Sequence, residues 1–274
     1  MKYSQEYSKN LLKSGKLVLI CDIDETLVHS IFVRDQINPR TLKDIKSIEL
    51  KSSEYPWYFV KLRPNLDGFL KRISEKFELH AMSLGGYDYV KLVMKLIDPK
   101  MLYFGNRITT AKNIVNRVYK SRTLTDQFSG NGNIVVVIDD RIDVWEQSQK
   151  VIQVVPYIVF KEAKDITNDS NLGFSNARVR LTQEALESIK DSDNYLVELE
   201  SILNSIHEYY FQTISSEIKI NNFDVLHFDL PKMEEIMEEM RIKKIIMTCV
   251  DHFTKETITK HLNIVEKTPI LLHN

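Results

Sequence analysis

Two aspartates, Asp22 and Asp24, follow the apolar run Leu17-Val18-Leu19-Ile20-Cys21 and are separated only by Ile23. An unbroken apolar run of this kind predicts a strand buried on both faces, as found in parallel sheets of α/β domains. Ligands of such sheets bind at the carboxyl edge of the strands, which is where these acids fall. Side chains alternate along a strand, so Asp22 and Asp24 leave it on the same side. Two carboxylates converging on one point do not both stay ionised without a cation between them. Three chemistries are compatible with that: a bound metal, a shared proton, or a nucleophile with its acid/base partner.

Downstream groups of the same character follow. The apolar run Ile134-Val135-Val136-Val137-Ile138 also ends in two acids, Asp139-Asp140. Taken alone, that pair is as readily a helix cap or turn as a functional element. Between the two acidic pairs, Phe77-Glu78-Leu79-His80-Ala81-Met82-Ser83 reads as a strand that ends in Ser83-Leu84-Gly85-Gly86. A hydroxyl and the N–H groups of a glycine loop opening a helix can cradle a phosphate, although a plain strand-to-helix turn has the same appearance.

The octapeptide Asp22-Ile23-Asp24-Glu25-Thr26-Leu27-Val28-His29 matches the DxDx[TV] motif and resembles the aspartate-based phosphatases of the haloacid dehalogenase superfamily. More narrowly, the chain resembles the TFIIF-associating phosphatases of the RNA polymerase II C-terminal domain (CTD). That narrower likeness is carried by Lys61-Leu62-Arg63-Pro64, by Asp139-Asp140-Arg141-Ile142-Asp143-Val144-Trp145, and by Asp193-Asn194-Tyr195-Leu196 followed by Ile206-His207; it covers about residues 15–212.

The resemblance implies roles. Asp22 is the nucleophile: a carboxylate is ionised near neutral pH and needs charge screening rather than a base. A hard dication with oxygen ligands, Mg2+, supplies that screening, held by Asp22, Asp140 and the backbone carbonyl of Asp24. The Asp24 side chain is the general acid/base, a role that needs a pKa raised by a dry site. Ser83 stands where the family usually has threonine, and Gly86 where threonine is frequent. A lysine must neutralise the phosphoryl oxygens; the spacing back from Asp139 selects Lys120, with Lys112 and Arg122 as rivals, and Asp139 engages that lysine. Arg63 and Arg141 organise the acids or the substrate, or form structural salt bridges. His29 is read as a packing or hydrogen-bonding residue, and Trp57-Tyr58-Phe59 as sheet core.

The elements that must position these groups alternate strand and helix through residue 156, which predicts a doubly wound, mostly parallel sheet; the resemblance implies that it is of the haloacid dehalogenase type. Residues 1–16 read as a short helix or frayed arm, and residues 31–56 as a polar connector. Trp57–Leu62 reads as a strand, followed by a helix over Leu66–Glu75 capped by Asn65. Helices are expected at about 87–97 and 110–120, and a fourth strand at Val151–Val155. Residues 1–160 form the catalytic core, 161–212 a helical linker or extension that includes an amphipathic helix over Asn194–Phe211, and 213–274 a small α/β module. For that last module the resemblance implies a BRCT-like unit, here reduced, and a cap on the catalytic domain is the alternative.

Composition narrows the function classes. A formal net charge of −1 over 274 residues gives no global drive toward nucleic acid or membrane. Cys21 and Cys249 lie in apolar runs and read as buried thiols of a reducing compartment. Neither a signal region nor a bilayer-spanning stretch is evident, so an intracellular protein is expected. Cys21 is followed by Asp22-Ile23, not by a loop ending in arginine, which excludes cysteine-based phosphatase chemistry. The function the resemblance implies is a Mg2+-dependent serine/threonine phosphatase acting on the phosphorylated RNA polymerase II CTD in the nucleus, with TFIIF as a further partner. A small-molecule phosphatase of the same superfamily and a non-catalytic phosphopeptide-binding module are the alternatives.

Overall fold

The computed structural model describes residues 2–33, 44–50, 57–114, 119–129, 132–146, 150–160, 191–221 and 232–242. The first run of apolar residues forms β1 (Leu17–Cys21), every residue of which is buried. A three-stranded insertion follows: β2 (Val28–Val33), β3 (Ile45–Glu49) and β4 (Trp57–Leu62). Then come α2 (Leu66–Lys76), β5 (Phe77–Met82), α3 (Tyr87–Ile97), β6 (Ile108–Thr109), α4 (Lys120–Gln127), β7 (Val135–Asp139) and β8 (Val151–Gln153). Helix α1 (Gln5–Lys13) precedes β1, and α5 (Tyr195–Asn221) and α6 (Met233–Ile242) follow.

The main sheet has the order β6-β5-β1-β7-β8, and all four pairings are parallel. The chain builds outward from β1 to β5 and β6, then returns to the other side of β1 for β7 and β8. That reversal opens a crevice at the carboxyl end of β1, where doubly wound sheets bind ligands. Strands β1 and β7 are buried throughout, as their unbroken apolar runs require.

The connector expected between β1 and β4 is instead a second sheet, antiparallel, in the order β2-β4-β3. Among the residues of β3 only Ile45 and Ile48 are fully buried, three positions apart. That spacing hides the two-residue period by which a strand is recognised in sequence. Antiparallel sheets tolerate such polarity because one face can meet water.

Helix α2 buries Leu66, Phe69, Leu70 and Ile73, the spacing of one helical face. Asn65 precedes it in the left-handed conformation, φ 64°, with no side-chain capping bond, so the expected Asn cap is absent. The helix expected over 110–120 begins only at Lys120; residues 111–114 form a turn, and Arg117 lies outside the described residues. The strand expected over Val151–Val155 stops at Gln153.

Helix α5 continues past Phe211 to Asn221, through the expected division at residue 212. It lays Leu196, Leu199, Ile202, Leu203, Ile206 and Tyr210 into the same core as α2. Arg72 grips Glu200 with two hydrogen bonds of 2.7 and 2.8 Å, and His207 Nε2 reaches the Gly15 carbonyl at 2.8 Å. Helix α6 adds Met233, Ile236, Met237 and Met240 to the core, and its Glu234 pairs with Lys150 at 2.9 Å. The strands expected at Val225–Phe228 and Ile245–Met247, and Cys249, fall outside the described residues. No helix among the described residues is long and apolar enough to cross a membrane.

Candidate active site

The carboxyl ends of β1, β5 and β7 bring the expected residues together. The Asp22 N–H still donates to the Ile138 carbonyl at 3.0 Å, so the first acid leaves the sheet in register with β7. One carboxylate oxygen each from Asp22, Asp139 and Asp140 lies within 4.8 Å of the other two. All three residues are buried.

Lys120 enters this group from the first turn of α4. Its ammonium donates to Asp22 Oδ1 and to Asp139 Oδ2 at 2.7 Å. Burial works against its charge, but Asp22 and Asp139 outweigh that and raise its pKa. Lys112 and Arg122 are exposed, and neither takes this place. Asp139 is further held by the Trp145 indole N–H at 2.7 Å and by the Arg141 backbone N–H at 2.9 Å. Both of its oxygens are thus committed to protein donors, while Lys120 is the one ammonium among the described residues that donates to Asp22.

That imbalance decides whether a cation fits. Burial, then the charges of Asp139 and Glu25, push the Asp140 carboxyl up to about 7. Burial also drives Asp22 well above the carboxylate range, opposed by Lys120 and reinforced by Asp139 and Asp24. One lysine does not balance three buried acids; a hard dication does, and the oxygen-only donor set suits Mg2+. Asp140 is fixed by Thr26, whose hydroxyl donates to Asp140 Oδ1 at 3.3 Å and accepts the Asp140 N–H at 3.2 Å.

Asp24 lies on the neighbouring side of the pocket, beside the insertion sheet and α3. Its Oδ1 accepts from the Tyr89 hydroxyl and from Ser30 Oγ at 3.1 Å. Burial raises its pKa, against the hydrogen bonds of Tyr89 and Ser30, the charge of Lys120 and the hydroxyl of Ser83. Ser83 is buried at the end of β5, and its Oγ accepts the Gly85 N–H at 2.9 Å. A Cβ on Gly85 would lie 3.0 Å from the Tyr89 ring and 3.1 Å from both Ser83 Oγ and Val90, so any larger residue here would press on these three side chains. A Cβ on Gly86 would meet nothing within 4 Å, so glycine is not required there by close approach.

Arg63 and Arg141 stand outside the acid group. The Arg63 guanidinium is buried and bidentate to Asp193 at 3.0 and 2.9 Å. It also donates to the Thr26 carbonyl at 3.1 Å, tying the chain before α5 to the loop that carries Thr26. The Arg141 side chain is exposed and pairs with Asp143 at 2.6 Å. His29 Nδ1 accepts the backbone N–H groups of Val159 and Phe160 at 3.1 and 3.2 Å. Phe59 is buried, whereas Tyr58 lies against Tyr89 at 5.2 Å and its hydroxyl pKa is raised by burial and by Asp24. Sequence reasoning assigned no role to Thr26, Ser30, Tyr89 or Trp145. Thr26 and Trp145 lie inside the motifs quoted above, so their positions carried a signal; Ser30 and Tyr89 carried none.

The structure thus joins a doubly wound sheet, acids at two strand ends, a buried lysine between them and a hydroxyl on a glycine loop. Residues 17–185 match the model of the NLI interacting factor-like phosphatases, and the chain belongs to that family. It is 33% identical over 203 residues to an RNA polymerase II C-terminal domain phosphatase of Caenorhabditis elegans, covering 74% of this chain and 29% of that one. The namesake of Schizosaccharomyces pombe is 34% identical over 180 residues, covering 61% and 25%. The chain therefore spans between a quarter and a third of the length of these relatives. Among solved structures it is similar to that of Fcp1, an essential RNA polymerase II CTD phosphatase. The TM-score is 0.69 at 26% identity, covering 87% of this chain and 74% of that one.

Proposed function

We propose that the chain is a Mg2+-dependent serine/threonine phosphatase that works through an aspartyl phosphate on the phosphorylated RNA polymerase II CTD. The observation that carries the reading is Lys120 bridging Asp22 and Asp139 beside Asp140, with Asp24 two residues from the nucleophile. Asp22, Asp140 and the Asp24 carbonyl would hold Mg2+, which would supply charge neutralisation that the protein groups alone do not complete. Asp22 attacks phosphorus through a carboxylate oxygen. Lys120 balances the spreading phosphoryl charge, and Ser83 with its glycine loop orients the phosphoryl oxygens. Asp24 gives its proton to the leaving serine oxygen, then takes one from the water that cleaves the aspartyl phosphate.

The relatives' names support the CTD as substrate, and a nuclear site of action follows from that substrate; TFIIF as a further partner rests on the sequence resemblance alone. The comparison that tests substrate class sets phosphate release from phosphoserine heptad-repeat peptides against release from sugar phosphates. Preference for the peptides by kcat/KM is expected. Equal or greater activity on sugar phosphates overturns the assignment, and tight peptide binding without phosphate release replaces it with a binding module.

A further inference from the structure

The three-stranded insertion and α3 meet at the Asp24 carboxylate. Ser30 sits on β2, paired with Val60 of β4, and Tyr89 sits in the first turn of α3. Both hydroxyls converge on the same oxygen, Asp24 Oδ1, and lie 2.5 Å from each other. The Tyr89 ring is fixed from two sides: Tyr58 of β4 packs against it at 5.2 Å, and Gly85 offers no side chain to displace it. Neither hydroxyl reaches the Lys120–Asp22–Asp139 group in the contacts the structure shows, so they act on the pocket through Asp24.

A carboxylic acid that must donate a proton in one step and recover it in the next works with one oxygen. The other is better held, because a misplaced donor loses most of its effect. We propose that Tyr89 and Ser30 are positioning residues for the general acid: they pin Asp24 at Oδ1, so that Oδ2 passes the proton to the leaving oxygen and takes it back from water. In the first step the Asp22–phosphorus bond forms, the phosphorus–serine oxygen bond breaks, and the Asp24 Oδ2 proton moves to that oxygen. In the second, water oxygen bonds to phosphorus, the Asp22–phosphorus bond breaks, and Oδ2 recovers a proton. The insertion sheet thereby sets the angle of the acid. The inference rests on the assignment of Asp24 as general acid made above.

The test separates leaving groups. Aspartyl-phosphate formation from p-nitrophenyl phosphate, with its acidic phenol, needs little protonation, whereas the alkoxide of phosphoserine needs it fully. kcat/KM is measured on both substrates for wild type, Asp24→Asn, Tyr89→Phe and Ser30→Ala, with Mg2+. Tyr89→Phe keeps the ring and removes the hydroxyl. Its loss on the phosphoserine peptide is expected to exceed its loss on p-nitrophenyl phosphate by about tenfold, a fraction of the 10²–10⁴ that general acid catalysis supplies. Ser30→Ala is expected to shift the same ratio in the same direction by a smaller factor and, lying on a different element, gives a second reading should Tyr89→Phe not fold. Equal losses on both substrates, or none, overturn the proposal. If Asp24→Asn itself shows no leaving-group dependence, the assignment of the acid fails and the proposal falls with it. If Asp24→Asn shows that dependence and the hydroxyl variants do not, only the positioning role fails.

Discussion

Lys120 holds the negative charge of the pocket together, and its neighbours show what its loss would do. With the ammonium gone, Asp22 and Asp139 lose their shared cation in a buried site, and by the proposed mechanism the transition state loses its lysine. Lys120→Met is expected to lower kcat/KM on the phosphopeptide by about 10²–10³, the usual loss for one preorganised stabilising group. Lys112→Ala and Arg122→Ala, both exposed, stay within about twofold of wild type; a loss as large in either would reassign the lysine. Gly85 makes a second prediction at this scale. A methyl there meets Tyr89, Ser83 Oγ and Val90 at 3.0–3.1 Å, so Gly85→Ala is expected to cost about 1–3 kcal/mol of stability by overpacking. Denaturant midpoints check this, and an unchanged midpoint contradicts it.

Helix α1 shows how an element outside the pocket docks through titratable groups. Its Tyr7 hydroxyl reaches Glu78 and His80 Nε2 at 3.2 Å. Tyr3 stacks on Phe128 at 4.6 Å, and Arg107 lies 3.7 Å from Glu78. Burial holds the His80 pKa below 6.5, against the pull of Glu78. As pH falls through 6.5 the unfolded chain therefore takes up a proton at this position before the folded one does, and folding stability declines. Wild type is expected to lose stability relative to His80→Gln between about pH 6.5 and 5; a difference that stays constant from pH 8 to 5 contradicts it. At this scale the legibility of the sequence divides by physical cause. The runs Leu17–Cys21 and Ile134–Ile138 announced buried parallel strands because both faces are apolar. Strands β2 and β3 did not, because Ser30, Lys46 and Ser47 interrupt the alternation on a sheet that faces water. The acids were legible because they end apolar runs, whereas Ser30 and Tyr89 find Asp24 only through the packing of the insertion on α3.

The molecule as a whole depends on helices beyond the sheet. Each of Leu196, Leu199, Ile202, Leu203 and Ile206 is buried against the core and contributes about 1.5–3 kcal/mol. Together that rivals the roughly 5–15 kcal/mol net stability of a whole domain. A chain ending before Tyr195 also leaves Arg63 buried without the element that anchors Asp193. Such a truncation is expected to show no cooperative thermal unfolding by circular dichroism; a sharp transition near the full chain's would show that α5 and α6 are dispensable. The central claim is that Asp22 carries the phosphoryl group. Rapid acid quench during turnover of a phosphoserine heptad-repeat peptide with Mg2+, followed by mass analysis of the digested protein, tests it most directly. One added phosphoryl group is expected on the segment containing Asp22, lost with chelator and absent in Asp22→Asn. Turnover that proceeds at full rate in Asp22→Asn, or a phosphoryl group found on another segment, would contradict it.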